Sequence, residues 1–214
     1  MDKFSKAHEL LKEHFNKDII INLSPSHGYR SRCEFGYRNG YYTMYDEESN
    51  RINLTTFQVA RPIISDLMPK LLNSINNEDE LNNKLFQINF RANSSNKVLV
   101  TLIYHKKLDE KIKDHAENLS ETLKISVILR SKNDIFYTHG DLLEDHVKSL
   151  NTKLYQSDHS FYQPNHFHMP EMVKKVISFL DEPKDLLELY CGSGTFTLPL
   201  SKYFNKVYAT ENNR

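Results

Sequence analysis

A short stretch near the end of the chain constrains the fold more than any other part of the sequence. Residues 185–189 (Asp-Leu-Leu-Glu-Leu) have the composition of a buried strand, and the glycine turn Cys191-Gly192-Ser193-Gly194 follows closely. A helical pattern runs from Phe196 to Phe204, and residues 206–211 form a second strand that ends at Glu211. Strand, turn, helix and strand in this order predict a β-α-β unit with parallel strands.

The β-α-β unit has the features of a nucleoside-cofactor site. Gly192 and Gly194 allow a ligand to approach the backbone closely at the carboxyl edge of a parallel sheet. An acid at the end of the second strand, here Glu211, can accept hydrogen bonds from both hydroxyls of a ribose. The spacing does not match G-x-G-x-x-G, however, and a packing turn without a ligand fits the same residues. On spacing alone, both interpretations remain open.

A second feature is a basic and aromatic window between Glu80 and Asp109. The whole chain has 28 basic and 28 acidic residues, but this window has no acid and five basic residues: Lys84, Arg91, Lys97, Lys106 and Lys107. The same window holds the rings of Phe86, Phe90, Tyr104 and His105. Cations that bind phosphates, combined with ring faces for unstacked bases, are typical of single-stranded RNA sites. A solvated sheet face above core aromatics is the alternative.

A third candidate site lies in residues 29–35 (Tyr-Arg-Ser-Arg-Cys-Glu-Phe). In a strand, Arg30, Arg32 and Glu34 share one face, whereas Cys33 and Phe35 lie on the other. The arginines can bind phosphate or can simply pair with Glu34. Cys33 is expected in the core rather than as a nucleophile.

The rest of the chain predicts an α+β domain at 1–155, followed by residues 156–214 with a linker at 160–165. Helices are predicted at 4–15, 62–75, 109–123 and 170–180, with the second kinked or shortened by Pro69. Strands are predicted at 18–23, 85–90, 98–104 and 126–129, and a hairpin spans 29–45 around Asn39-Gly40.

Composition narrows the function classes. No apolar run approaches the ~20 residues of a membrane span, so no membrane partner is expected. Two cysteines, Cys33 and Cys191, provide neither a disulfide framework nor a zinc site, which indicates a reducing cytoplasm. His159, His166 and His168 lie close together without a carboxylate or cysteine at metal-binding spacing, so no metal is expected.

Five segments together resemble the tRNA (uracil-5-)-methyltransferase family of the TrmA type. They are 84–89 (Lys-Leu-Phe-Gln-Ile-Asn), 102–109 (Leu-Ile-Tyr-His-Lys-Lys-Leu-Asp), 160–165 (Ser-Phe-Tyr-Gln-Pro-Asn), 186–194 (Leu-Leu-Glu-Leu-Tyr-Cys-Gly-Ser-Gly) and 209–211 (Ala-Thr-Glu). The resemblance extends from about Ala7 to the last residue. It implies an α+β RNA-recognition domain followed by the start of a Rossmann-like α/β methyltransferase domain.

The resemblance also implies a reaction, in which S-adenosylmethionine methylates C5 of the T-loop uridine of tRNA. By position, the implied cofactor residues are Gln163, Tyr190, Gly192, Gly194, Thr195 and Glu211, with Thr195 at a position where the family often has Asn. Phe86 and His105 match residues thought to engage the T-loop. With the basic residues Arg30, Arg32, Arg91, Lys106 and Lys107, they form the expected RNA contacts of a monomer that binds the tRNA T-arm.

The sequence differs from the family in the two residues that carry out the covalent chemistry. The family uses a cysteine thiolate that attacks C6 of the uracil and a glutamate that removes the C5 proton. Both positions lie beyond Arg214, so we expect an N-terminal portion of the enzyme that is inactive by itself. Two other functions stay open, namely a non-catalytic RNA-binding module and an rRNA uracil-C5 methyltransferase.

Overall fold

The computed structural model describes residues 3–212. Its largest sheet there has seven strands: β1 (Arg32–Arg38), β2 (Tyr41–Tyr45), β3 (Arg51–Leu54), β4 (Leu85–Ala92), β5 (Val98–Tyr104), β6 (Ser126–Arg130) and β7 (Ile135–Tyr137). The strand order is β3-β2-β1-β4-β5-β6-β7. Within the sheet, β5 and β6 are parallel, and the other neighbouring pairs are antiparallel.

The hairpin predicted around Asn39-Gly40 is confirmed and connects β1 with β2. Both residues have positive φ angles, 50° and 79°, as a two-residue turn of this kind requires. The turn sets the register, with Arg38 opposite Tyr41.

Two long helices, α2 (Pro62–Asn76) and α4 (Glu110–Leu123), share one core with the sheet. On β4, Ile88, Phe90 and Ala92 are fully buried in this core, as are Ile64 of α2 and Ile112 of α4. Each large apolar side chain buried in this way contributes ~1.5–3 kcal/mol. The helix and strand predictions for 85–129 are therefore confirmed.

Helix α2 runs through Pro69, so the predicted shortening at this residue is wrong. A proline lacks the N–H that would bond to the carbonyl four residues earlier, which here belongs to Ser65. The hydroxyl of Thr56 donates to that carbonyl instead, at 3.0 Å. The helix tolerates the proline because a side chain outside the helix replaces the missing donor.

The opposite face of the sheet is covered by a hairpin that the sequence analysis missed. Its strands are β8 (Leu142–Val147) and β9 (Thr152–Ser157), which pair antiparallel. Leu143 of β8 packs on Leu99 and Ile128 of the sheet. Along β4, alternation places Gln87, Asn89 and Arg91 on this second face, so it is far more polar than the first.

A second core cluster joins the hairpin to the segment that follows it. Val147, Leu150 and Leu154 pack there with Tyr162 of the linker and with Met169 and Val173 of α5 (His168–Ile177). This cluster contains residues from both sides of position 155. The domain boundary placed there stays a prediction.

The C-terminal β-α-β unit forms as predicted, although it is more exposed than predicted. Strands β10 (Asp185–Leu189) and β11 (Lys206–Thr210) pair in parallel, and a short helix α6 (Thr197–Leu200) and a 3-10 turn lie between them. Leu187 and Leu189 are 64% and 60% exposed. The prediction of a buried strand is wrong here because a parallel strand is buried only when both of its faces are covered.

Two N-terminal predictions have different outcomes. Helix α1 (Lys3–His14) is confirmed, and the short helix α3 (Asp79–Asn82) was not predicted. The strand predicted at 18–23 is absent from the described structure, and Ile20 and Leu23 are exposed. A strand needs a backbone hydrogen-bond ladder with a neighbour, and these residues form none within 3–212. Across the same range, no helix is long and apolar enough to cross a membrane.

We expect Thr56→Val to lower the free energy of unfolding by ~1–2 kcal/mol, because the Ser65 carbonyl would lose its donor inside the protein. Urea denaturation measures the change. Thr55→Val is the matched control, since Thr55 is the exposed neighbour of Thr56. Equal midpoints for the two variants would show that the hydroxyl of Thr56 does not support the helix.

Candidate functional site

An aromatic pair stands at the end of the sheet where β4 begins. The register between β4 and β5 shifts between Leu85 and Gln87, so Phe86 has no paired residue on β5. A bulge of this kind re-aims a side chain. Leu85 remains buried in the core, whereas Phe86 is 48% exposed and stacks on His105, with ring centroids 4.3 Å apart and planes at 19°. The structure therefore brings together the two residues that the resemblance assigns to the T-loop.

A groove with a volume of about 1010 Å³ lies beside this pair. One wall comes from the ends of β4 and β5 and includes Lys106 and Lys107. The other wall is the end of β6 and the turn that follows, with Arg130, Lys132 and Asp134. The groove thus offers ring faces and cations together, which single-stranded RNA binding requires.

The two lysines predicted here have different environments. Lys106 donates to the Glu80 carbonyl at 2.9 Å and lies 3.4 Å from the Glu80 carboxylate, so its charge is already paired. Lys107 is exposed and has no ion-pair partner within residues 3–212. Lys132, across the groove, is exposed and also unpaired among the described residues. Lys132 was not predicted as a site residue because β7, and hence the β6–β7 turn, was not predicted from the sequence.

The placement of Arg91 corrects the sequence expectation. Arg91 is 2% exposed, and its guanidinium donates to the Asp158 carbonyl at 2.8 Å. Burial lowers the pKa of Arg91 to about 10, which still leaves the side chain charged at neutral pH. The linker and hairpin cover this residue, so it does not present a cation to the surface. Phe90 and Tyr104, from the same window, lie in the core, as the alternative interpretation proposed.

The faces predicted for residues 32–35 are confirmed, whereas Arg30 lies before β1 and interacts with the Cys33 thiol. Cys33 and Phe35 are buried at 3% and 4% exposure, and burial raises the pKa of the Cys33 thiol to about 12. Arg32 donates to Glu34 through both Nε and Nη2. The Arg32 guanidinium also lies 5.6 Å from the centroid of the Phe161 ring, while Arg30 donates to the Arg32 carbonyl. Phosphate binding by Arg32 would compete with its existing ion pair.

The glycine turn packs directly against the linker. The Ser193 amide donates to the Phe161 carbonyl at 2.9 Å, and a Cβ added at Gly192 would lie 2.7 Å from that same oxygen. Gly192 and Gly194 have φ angles of 56° and 72°, a backbone region that favours glycine. Close approach of the linker, as well as the positive φ angle, therefore requires glycine at position 192.

Most of the predicted cofactor residues lie in this turn or bond to it. Glu211 accepts from the Gly192 amide at 2.7 Å through one oxygen and from the Asn212 amide through the other. Tyr190 is 74% exposed at the edge of the turn, and Gln163 follows Phe161 by two residues in the linker. Thr195 is 4% exposed, and its Oγ1 has no hydrogen-bond partner within residues 3–212.

These groups fit a ligand with hydroxyl and amine groups. The Glu211 carboxylate is the type of acceptor that ligand hydroxyls bond to, and the buried Thr195 hydroxyl, which has no partner within residues 3–212, is left to bond to a ligand. Within the described range, no three or more His, Cys, Asp or Glu side chains form a group that could hold a metal ion.

Comparison with known sequences identifies the family. Residues 1–214 match the family model described as tRNA (Uracil-5-)-methyltransferase. The chain belongs to this family. The predicted resemblance is thereby confirmed over the full sequence.

Two relatives show how much of the family's length the chain represents. A tRNA/tmRNA (uracil-C(5))-methyltransferase of Aliarcobacter butzleri is 34% identical over 221 residues, covering 98% of the chain and 59% of that relative. The Campylobacter lari protein of the same name is 36% identical over 219 residues, covering 98% of the chain and 62% of that relative. The chain spans about three fifths of the length of these curated relatives.

A solved structure supports the fold. The crystal structure of Pyrococcus abyssi tRNA (uracil-54, C5)-methyltransferase in complex with S-adenosyl-L-homocysteine matches with a TM-score of 0.66 at 16% sequence identity. The match covers 88% of the chain and 50% of that structure. The predicted fold class, an α+β domain followed by the start of a Rossmann-like α/β domain, is confirmed.

Proposed function

We propose that this chain provides the RNA-binding and cofactor-binding parts of an enzyme that methylates C5 of the T-loop uridine of tRNA with S-adenosylmethionine. The observation that carries this proposal is the stacked Phe86–His105 pair beside a groove with unpaired lysines, in a member of the tRNA (uracil-5-)-methyltransferase family. The similar Pyrococcus abyssi protein acts on uracil 54 of tRNA, which supports the same class of substrate.

In this proposal, the groove binds the unstacked loop of the T-arm. Removing a base from its stack costs a few kcal/mol, and a protein ring face that replaces the lost stacking offsets that cost. Phe86 and His105 present such a face at one end of the groove. Lys107 and Lys132, on opposite walls, bind phosphates of the loop, whereas Lys106 supports the wall through Glu80. A cytoplasmic location follows from this substrate.

The glycine turn binds the cofactor in this proposal. S-adenosylmethionine supplies the methyl group as an electrophile when it is bound. Glu211 accepts hydrogen bonds from its ribose, and Thr195 provides the hydroxyl that now has no partner among the described residues. Tyr190 of the turn and Gln163 of the linker are the further contacts proposed for the ligand.

The covalent step is assigned to no residue of this chain. A nucleophilic cysteine needs a lowered thiol pKa, but burial raises the pKa of Cys33 to about 12 and also raises that of Cys191. The attack on C6 and the removal of the C5 proton are thus proposed for the remainder of the enzyme. We expect these 214 residues alone to transfer no radiolabelled methyl group from S-adenosylmethionine to unmodified tRNA.

Phe86→Ala should weaken binding of a T-arm stem-loop by about tenfold or more, because loss of a stacked base costs ~1–3 kcal/mol. Filter binding measures the affinity, and circular dichroism verifies the fold. Tyr45→Ala is the control, since Tyr45 is equally aromatic and 68% exposed on β2. If both variants bind like the wild type, Phe86 does not contact the RNA.

Lys132→Gln should flatten the salt dependence of stem-loop binding. Each phosphate contact adds about 0.7–0.9 to the slope of log K against log salt, so the slope should fall by about that amount. Lys70→Gln, on the exposed side of α2, should leave the slope unchanged. If Lys132→Gln leaves the slope unchanged, the β6–β7 turn is not part of the RNA site.

Glu211→Gln should weaken the binding of S-adenosylhomocysteine by about tenfold, because hydrogen bonds to a charged group contribute ~1.5–3 kcal/mol. Isothermal titration calorimetry measures the affinity. Glu117→Gln, an exposed position on α4, controls for the change in net charge. Undiminished binding by Glu211→Gln would place the cofactor elsewhere.

A further inference from the structure

Asp158 is the point where three strands of the sheet hold the chain that leads to the glycine turn. Its carbonyl accepts from Arg91 of β4 at 2.8 Å, and its Oδ1 accepts from the Thr101 hydroxyl of β5 at 2.7 Å. Its Oδ2 pairs with Arg130 at the end of β6. Asp158 is 8% exposed, and Arg91 and Thr101 are 2% exposed each.

The residues just after Asp158 form one side of the glycine turn. Ser160 Oγ accepts from Ser193 Oγ at 3.0 Å, and the Phe161 carbonyl accepts from the Ser193 amide. Three residues of chain extend over at most ~11 Å, so a fixed Asp158 restricts where the Phe161 carbonyl can lie. The position of the turn therefore depends on the contacts of Asp158.

The same contacts are poorly suited to stability alone. Arg91 leaves Nε and Nη1 without a partner within residues 3–212, and a buried unpaired donor is destabilising. In the Arg130–Asp158 pair the carboxylate is buried and the guanidinium is partly exposed, and burying a charge in this way is costly even when it is paired. These polar groups form directional bonds that hold Asp158 in one position, which apolar packing does not provide.

We propose that Asp158 is a positioning residue, which Arg91, Thr101 and Arg130 hold in place so that the linker fixes the glycine turn relative to the RNA groove. Arg130 connects the groove with Asp158, because it lines the groove and also pairs with the Asp158 carboxylate. The purpose of this positioning rests on the proposed function, since it sets the distance between the bound base and the cofactor.

The test is hydrogen exchange measured by mass spectrometry on the 214-residue chain. It needs neither RNA nor cofactor, so failure of the proposed function and failure of this inference are distinguishable. Asp158→Asn removes the charge but keeps an oxygen for Thr101, and Asp66→Asn, at an exposed position of α2, is its control. Arg130→Gln and Arg130→Lys form a second pair, in which only lysine keeps the charge.

We expect Asp158→Asn and Arg130→Gln to speed amide hydrogen exchange in peptides covering 158–164 and 190–197 by about tenfold. Both variants lack the ion pair, so local opening no longer has to break it. Exchange in β4, β5 and β6 should remain as in the wild type, and Arg130→Lys should restore slow exchange at the turn. The inference is overturned if the turn exchanges at the wild-type rate, if the sheet opens to the same extent, or if lysine and glutamine at 130 behave alike.

Discussion

The architecture depends on the different coverage of the two faces of the seven-stranded sheet. Helices α2 and α4 bury one face chiefly with apolar side chains, and this core contains most of the buried apolar residues among positions 3–212. The other face carries Asn89, Arg91 and Thr101, which are buried although they are polar. Such groups cannot lie under an apolar layer without loss of their hydrogen bonds. The second face therefore requires a polar cover, which the linker and the β8–β9 hairpin provide.

This cover determines which side chains remain available to a ligand. Where the hairpin and linker lie over the sheet, Arg91 becomes an internal anchor. Beyond the cover, at the start of β4, the bulge turns Phe86 outward beside His105, and the groove opens between the strand ends. Strand alternation alone would have given Phe86 and Arg91 opposite faces, as they are an odd number of residues apart. The difference between the exposed Phe86 ring and the buried Arg91 thus arises from the bulge and the cover together.

Local signals were sufficient to predict much of this structure. The Asn39-Gly40 hairpin, helix α4 and the strand–turn–strand order ending at Glu211 follow from turn chemistry and periodicity. Long-range contacts explain the failures. Arg91 is buried by a partner 67 positions away, and Pro69 is tolerated because of a hydroxyl outside the helix. No pattern within a window of the sequence records either contact.

The glycine turn shows why such long-range contacts matter for the candidate site. Two parallel strands form a weak sheet by themselves, and β10 and β11 bury little apolar surface between them. Contacts with the linker, through the Phe161 carbonyl and the Ser160 hydroxyl, therefore add to the order of the turn. The linker in turn is held by Tyr162, which is buried in the second core cluster and donates to Asp145 of β8. The geometry of the glycine turn is thus stabilised by the hairpin and by the polar face of the sheet, in addition to its bonds to Thr210 and Glu211 at the end of β11.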